Sequence, residues 1–190
     1  AMGLGGLCKA TALLCDGVAL LLFLLAQDGK SALKITLDAL FNHPNVGPFV
    51  SKQLIQRLVT SNPSPAYIER VARVFENNGS GVRGDMKAVI RAVLLDVEAR
   101  DMNSSTNPTF GKLREPIARY VQWGRTFNAK TASNRWAIDD TMNPARALGQ
   151  SPLRSPSVFN FFRANYVPPS AEFASRSIVG PEFQWLNEVS

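Results

Sequence analysis

The chain has 190 residues, 45% of them apolar and 19% charged, a balance that suits a packed core and excludes a disordered chain. A chain this long buries roughly two-thirds of its unfolded surface, so it needs no metal or disulfide staple. Lys and Arg number 21 against 15 Asp and Glu, a net charge of +6. Basic residues never form a long run, which argues against a nucleic-acid tail.

The amino end carries Cys8 and Cys15 and an apolar stretch densest over residues 18–26. On one helix the two thiols stand about 10 Å apart, too far for a disulfide, and read as buried thiols. Nine residues span about 14 Å as a helix, half the hydrocarbon core, so no transmembrane span is expected. Leu24 is wrong for a signal-peptidase site ending at Ala26. Residues 1–27 are therefore expected to be a separate apolar segment, a core element or a surface for homo-oligomerisation. Residues 28–190 form the main domain.

Ser31 is expected to cap a helix to Phe41, with Leu33, Leu37 and Leu40 on one face. Asn42-His43-Pro44-Asn45 breaks it. Pro48 opens a second helix to about Val59, with Phe49, Val50, Leu54 and Leu58 inward and Ser51, Lys52, Gln56 and Arg57 off or beside that face. Ser64 caps a third over residues 66–76, burying Ile68, Val71, Val74 and Phe75. Asn78-Gly79 ends it. Asp85 caps a fourth to about Glu98, with Val89, Ile90, Val93 and Leu94 inward. Pro116 begins a fifth to about Phe127, with Ile117, Tyr120, Val121 and Trp123 as core. Residues 128–156 read as loop with short helices, residues 157–164 as an aromatic cluster around Phe159, Phe161 and Phe162, and residues 171–178 and 181–188 as helical. No alternating strand pattern runs along the chain, although two short strands near the amino end fit the residues. The expected fold is all-α, an irregular multi-helix bundle with long Pro/Gly/Asn-rich loops.

Several runs in order carry a family resemblance: Leu40-Phe41-Asn42-His43-Pro44-Asn45-Val46-Gly47-Pro48-Phe49, Gln53-Leu54-Ile55-Gln56-Arg57-Leu58, Asn78-Gly79-Ser80-Gly81-Val82-Arg83-Gly84-Asp85, Gly111-Lys112-Leu113-Arg114-Glu115-Pro116, and Leu148-Gly149-Gln150-Ser151-Pro152-Leu153-Arg154-Ser155-Pro156. The chain resembles the bacterial protein family known as domain of unknown function 1800, specifically its carboxy-terminal part. Val97 departs from the family, which often has proline there. The resemblance implies a helical fold and an exported protein, periplasmic or on the cell surface. It implies no activity, cofactor or catalytic residue.

Helix amino ends expose N–H groups that bind anions. Lys112, Arg114, Arg154, Ser155 and Ser157 flank two expected helix starts, Pro116 and Pro156, and together suit phosphate, sulfate or carboxylate. The alternative is that these arginines brace loops. His43 reads first as a turn residue satisfied by backbone; the catalytic alternative makes it a general base, with Ser51, Ser61 or Ser64 as nucleophile and Asp38 as orienting acid. Glu76-Asn77-Asn78-Gly79-Ser80-Gly81 matches early calcium-loop positions, but Lys87 stands where a bidentate Glu is needed. Asp96, Glu98, Asp101, Asp139 and Asp140 read as caps and surface carboxylates before they read as a cation site. No metal site and no cofactor is expected. The expectation is a helical module binding an anionic small molecule, polymer or partner through Arg-rich helix starts; the alternative is a hydrolase of carboxylic or phosphoric esters.

Overall fold

A computed structural model describes residues 28–135, 138, 140–158 and 160–186. Cys8, Cys15, the apolar run at 18–26, Asp139 and Phe159 lie outside them. Among the described residues the architecture is all-α: α1 Gly29–Phe41, α2 Val46–Leu58, α3 Pro65–Glu76, α4 Met86–Leu95, α5 Val97–Arg100, α6 Pro116–Thr126 and α7 Ala171–Ser175, with 3-10 turns at Met102–Thr106 and Pro181–Trp185. They contain no strand.

The core is the triangle of α2, α3 and α4. Ile55, Tyr67, Val71, Phe75, Val89 and Val93 are buried together at its centre. The apolar pattern alone misplaces the inward face of α2. Phe49 and Leu58 are exposed, whereas Ser51 and Gln56 are buried. The cause is a stripe at i, i+4, i+8: Gly47, Ser51 and Ile55 are all buried. Gly47 lets α3 approach so closely that an added Cβ would lie 3.4 Å from Phe75 Cδ1 and 3.6 Å from the Ala72 carbonyl oxygen. Close approach fixes the helix rotation, and the bulkier apolar residues are left to the flank.

The caps follow short polar side chains. Ser64 Oγ accepts from Tyr67 N at 3.1 Å, as its position before Pro65 predicts. Asp85 caps α4, accepting from Lys87 N and Ala88 N. The hydrogen bond from Asn78 Nδ2, together with these amide bonds, holds the Asp85 carboxyl below the usual carboxylate range. Asp28, not Ser31, caps α1: its Oδ1 accepts from Ser31 N and Lys30 N, both at 2.9 Å, and the Ser31 hydroxyl donates to Oδ2. Pro48 sits in the third position of α2 rather than the first. The fourth helix stops at Leu95 because Asp96 caps a new short one, accepting from Glu98 N at 2.9 Å.

The Asn78 loop is a connector. Asn77 Oδ1 accepts from Gly79 N and Gly81 N, and Asn78 Oδ1 from Ser80 N and Val82 N. Its side-chain oxygens are turned onto its own backbone. The turn ends at Gly84, φ +74°, where a Cβ would lie 2.6 Å from the Phe41 ring.

The carboxy-terminal stretch is irregular and is pinned to the helices by amides and hydroxyls. Asn62 Nδ2 donates to the Val179 carbonyl and Asn62 Oδ1 accepts from Val179 N, both at 2.9 Å. Buried Gln56 donates to the carbonyls of Ser61 and Ala164. Trp185 Nε1 donates to the Gly149 carbonyl at 2.7 Å. Phe162 is buried beneath the Arg57 guanidinium, 4.3 Å from its ring centre. These bonds satisfy backbone groups that no helix ladder reaches.

Candidate functional site

Lys112 is engaged within the fold. Its ammonium donates to the Arg57 carbonyl at 3.0 Å and lies 3.0 Å from Glu182 Oε1, and Glu182 is buried. Arg154 pairs with Asp140 at 3.0 Å, both side chains largely exposed. Ser155 Oγ and Ser157 Oγ donate to nearby loop carbonyls, those of Ser157 and Asn160. The described residues around Pro156 form bends and turns, so the expected helix start there is absent. Without successive helical N–H groups, that loop has no amide cradle for an anion.

At the other start, α6 opens at Pro116 as the sequence predicts. Its first free amide, Ile117 N, donates to Gln150 Oε1 at 3.1 Å, and Gln150 Nε2 donates to Glu115 Oε2 at 3.0 Å. Gln150 is fully buried and serves as a cap supplied from far along the chain. Arg57 lies 3.6 Å from Glu115 Oε1, closing the set. The first amide of α6 is thus already satisfied within the fold.

The helix itself departs most from expectation. Tyr120, Val121 and Trp123, expected in the core, are exposed, and Pro116 is the buried residue of α6. Arg114 and Arg125 share one side of α6. With Ile117, Ala118, Val121, Gln122 and Thr126 they line an open groove of about 410 Å³. Neither arginine joins an ion pair among the described residues. Residues 116–135 contain Arg119, Arg125, Lys130 and Arg135 and no Asp or Glu. Arg125 was not singled out by its position in the sequence; the acid-free interval is the signal that points to it.

His43, Ser51 and Asp38 stand on different elements, and no hydrogen bond joins them. His43 Nδ1 accepts from Asn45 N at 3.2 Å, inside its own turn. Asp38 pairs with Lys34 one turn back on α1. Ser51 is fully buried in α2, with no hydrogen-bond partner for its hydroxyl. Ser64 donates to Glu98 and Ser61 to Glu182.

The carboxylates near α5 are structural partners too. Asp96 takes a two-pronged bond from Arg70, Nε and Nη2 each at 2.7 Å. Burial pushes the Asp96 carboxyl up, but Arg70 and the Glu98 amide outweigh it and leave its pKa below the ordinary value. Burial, with the charges of Asp96 and Glu98, pushes the Tyr67 phenol up to about 12. Its hydroxyl donates to the Val93 carbonyl. Among the described residues no group of three or more His, Cys, Asp or Glu could hold a metal ion, and no helix is long and apolar enough to cross a membrane.

One family model matches the chain, over residues 18–187; its description is "Protein of unknown function (DUF1800)". Neither a curated protein nor a solved structure matches.

Proposed function

We propose that this chain, which belongs to the DUF1800 family, is a helical module of an exported bacterial protein that binds an anionic ligand or partner along α6. The observation that carries this reading is the pair Arg114 and Arg125. Both are exposed, both line one groove, and neither is neutralised by an ion pair among the described residues. A guanidinium presents a planar fork that matches carboxylate and phosphate oxygens. Ile117, Ala118 and Val121 line the same groove. A ligand suited to both parts has an anionic group and an apolar body. The basic excess of the surrounding segment raises the local concentration of such anions.

Calorimetric titration of the whole chain with dodecyl phosphate and with inorganic phosphate tests the reading. Dodecyl phosphate binds more tightly, and Arg114→Ala or Arg125→Ala each weakens it by about tenfold, the scale of one charged hydrogen bond. Unchanged affinity in both variants overturns it.

A further inference from the structure

On the other side of α6 stands a ladder of three aromatic rings. Tyr120, Trp123 and Phe127 are spaced three and four apart and share one face. Their ring centroids are 6.4 Å apart, nearly parallel, for Tyr120 and Trp123, and 5.8 Å apart for Trp123 and Phe127. They are 40%, 56% and 69% exposed, rising toward the end of the helix. Arg125 lies two residues from both Trp123 and Phe127, so it projects to the opposite side, into the groove. The ladder is thus a second surface, separate from the Arg114–Arg125 groove.

We propose that this face docks on an anionic lipid surface. Two observations select that occupant. First, the charge around the ladder is mainly basic: Lys130 stands three residues beyond Phe127, no acidic residue lies between 116 and 135, exposed Arg146 lines one hollow with Tyr120, and the carboxylate of that hollow, Asp140, is paired with Arg154. Second, the rings are packed on one another, so the faces that would stack on the bases of a nucleic acid are partly taken up within the ladder. Indole and phenol rings settle at the boundary between headgroups and acyl chains, and Lys and Arg beside them meet anionic headgroups.

The test uses the full chain and two kinds of vesicle, phosphatidylcholine alone and phosphatidylcholine mixed with phosphatidylglycerol, read by co-sedimentation. The mixed vesicles bind the protein at least about tenfold more tightly, because each basic residue near the surface contributes about fivefold, and raising the salt weakens the complex. Trp123→Ser/Phe127→Ser lowers binding by about tenfold or more, whereas Trp123→Leu/Phe127→Leu retains most of it. The Ser variant keeps the helical circular dichroism of the parent, since both positions are exposed. Equal binding of the parent to both vesicles, or undiminished binding of the Ser variant, overturns the proposal. So does tighter binding of a single-stranded oligonucleotide or of polyglutamate than of mixed vesicles. Arg114→Ala leaves vesicle binding within about twofold while weakening capture of dodecyl phosphate in the groove by about tenfold, so the two surfaces fail separately.

Discussion

Lys112 Nζ lies 3.0 Å from Glu182 Oε1, and the glutamate side chain is only 2% exposed. Ser61 Oγ donates to the second carboxylate oxygen at 3.4 Å, and the same ammonium donates to the Arg57 carbonyl. A cation from the stretch before α6 and an anion from the last 3-10 turn are thus sealed together against the end of α2. Breaking one partner strands the other without water. Lys112→Met is expected to cost about 3 kcal/mol in urea denaturation, and Lys112→Met/Glu182→Leu to restore much of it. A single-variant loss under about 0.5 kcal/mol, the level of an exposed pair, contradicts this account.

Tyr67 gives the alkaline limb of stability its shape. Its phenol has an ordinary pKa of 10.0 and is pushed up to about 12 in the fold. Between those values the unfolded chain releases a proton that the folded chain retains. Stability contributed by Tyr67 is therefore complete below pH 10 and lost as pH rises toward 12. Equilibrium unfolding measured across that window should fall more steeply for the parent than for Tyr67→Phe. Parallel curves count against the burial argument.

The Asp96 carboxyl works in the opposite sense. Its pKa is held below 3.8, so its contribution is present above that pH and disappears as acid protonates the folded form. Asp96→Asn is expected to flatten the acid limb, followed by circular dichroism, and to lower neutral stability by about 1 kcal/mol through the weakened cap and Arg70 pair. An acid limb identical to the parent's removes Asp96 from the explanation.

Ser51 shows a buried hydroxyl with no hydrogen-bond partner. A polar group in that state costs about 1 kcal/mol or more relative to an apolar one of the same shape. Ser51→Ala should be neutral or stabilising by about 1 kcal/mol in thermal melts, while Ser51→Val overpacks the approach to α3 and destabilises. A large loss in the alanine variant means that this hydroxyl has a partner.

Gly84 combines φ +74° with a Phe41 ring in the space of a side chain. Gly84→Ala is expected to cost about 1–3 kcal/mol, from backbone strain plus displacement of Phe41. Phe41→Ala in the same background relieves the steric part but not the backbone part. Full additivity of the two substitutions speaks against their contact.

The sequence is most readable where the physics is local. Ser64 before Pro65 and Asp85 before Met86 cap their helices as short polar residues do, and the all-α class follows from the spacing of apolar residues. Ser31 misleads because Asp28 opens the helix three residues earlier, accepting from Lys30 N and Ser31 N and leaving Ser31 inside the first turn. Periodicity marks Tyr120, Val121 and Trp123 as sharing an apolar helix but carries no information on whether anything covers it. Lys112 reads as a ligand for anions in sequence because Glu182, the anion it meets, stands in a distant segment. Gln150 capping α6 is hidden for the same reason. The buried faces of Ser51 and Gly47 are set by how near α3 comes, a tertiary quantity.

The paired bonds between Asn62 and Val179 join positions 117 residues apart. Closing so long a loop is entropically expensive, yet the expense rises only logarithmically with length. A protease cut within the polar stretch that follows α6 therefore need not release the tail. The carboxamide clasp and the Lys112–Glu182 pair join residues on either side of that stretch, and the nicked halves are expected to travel as one particle until denaturant parts them.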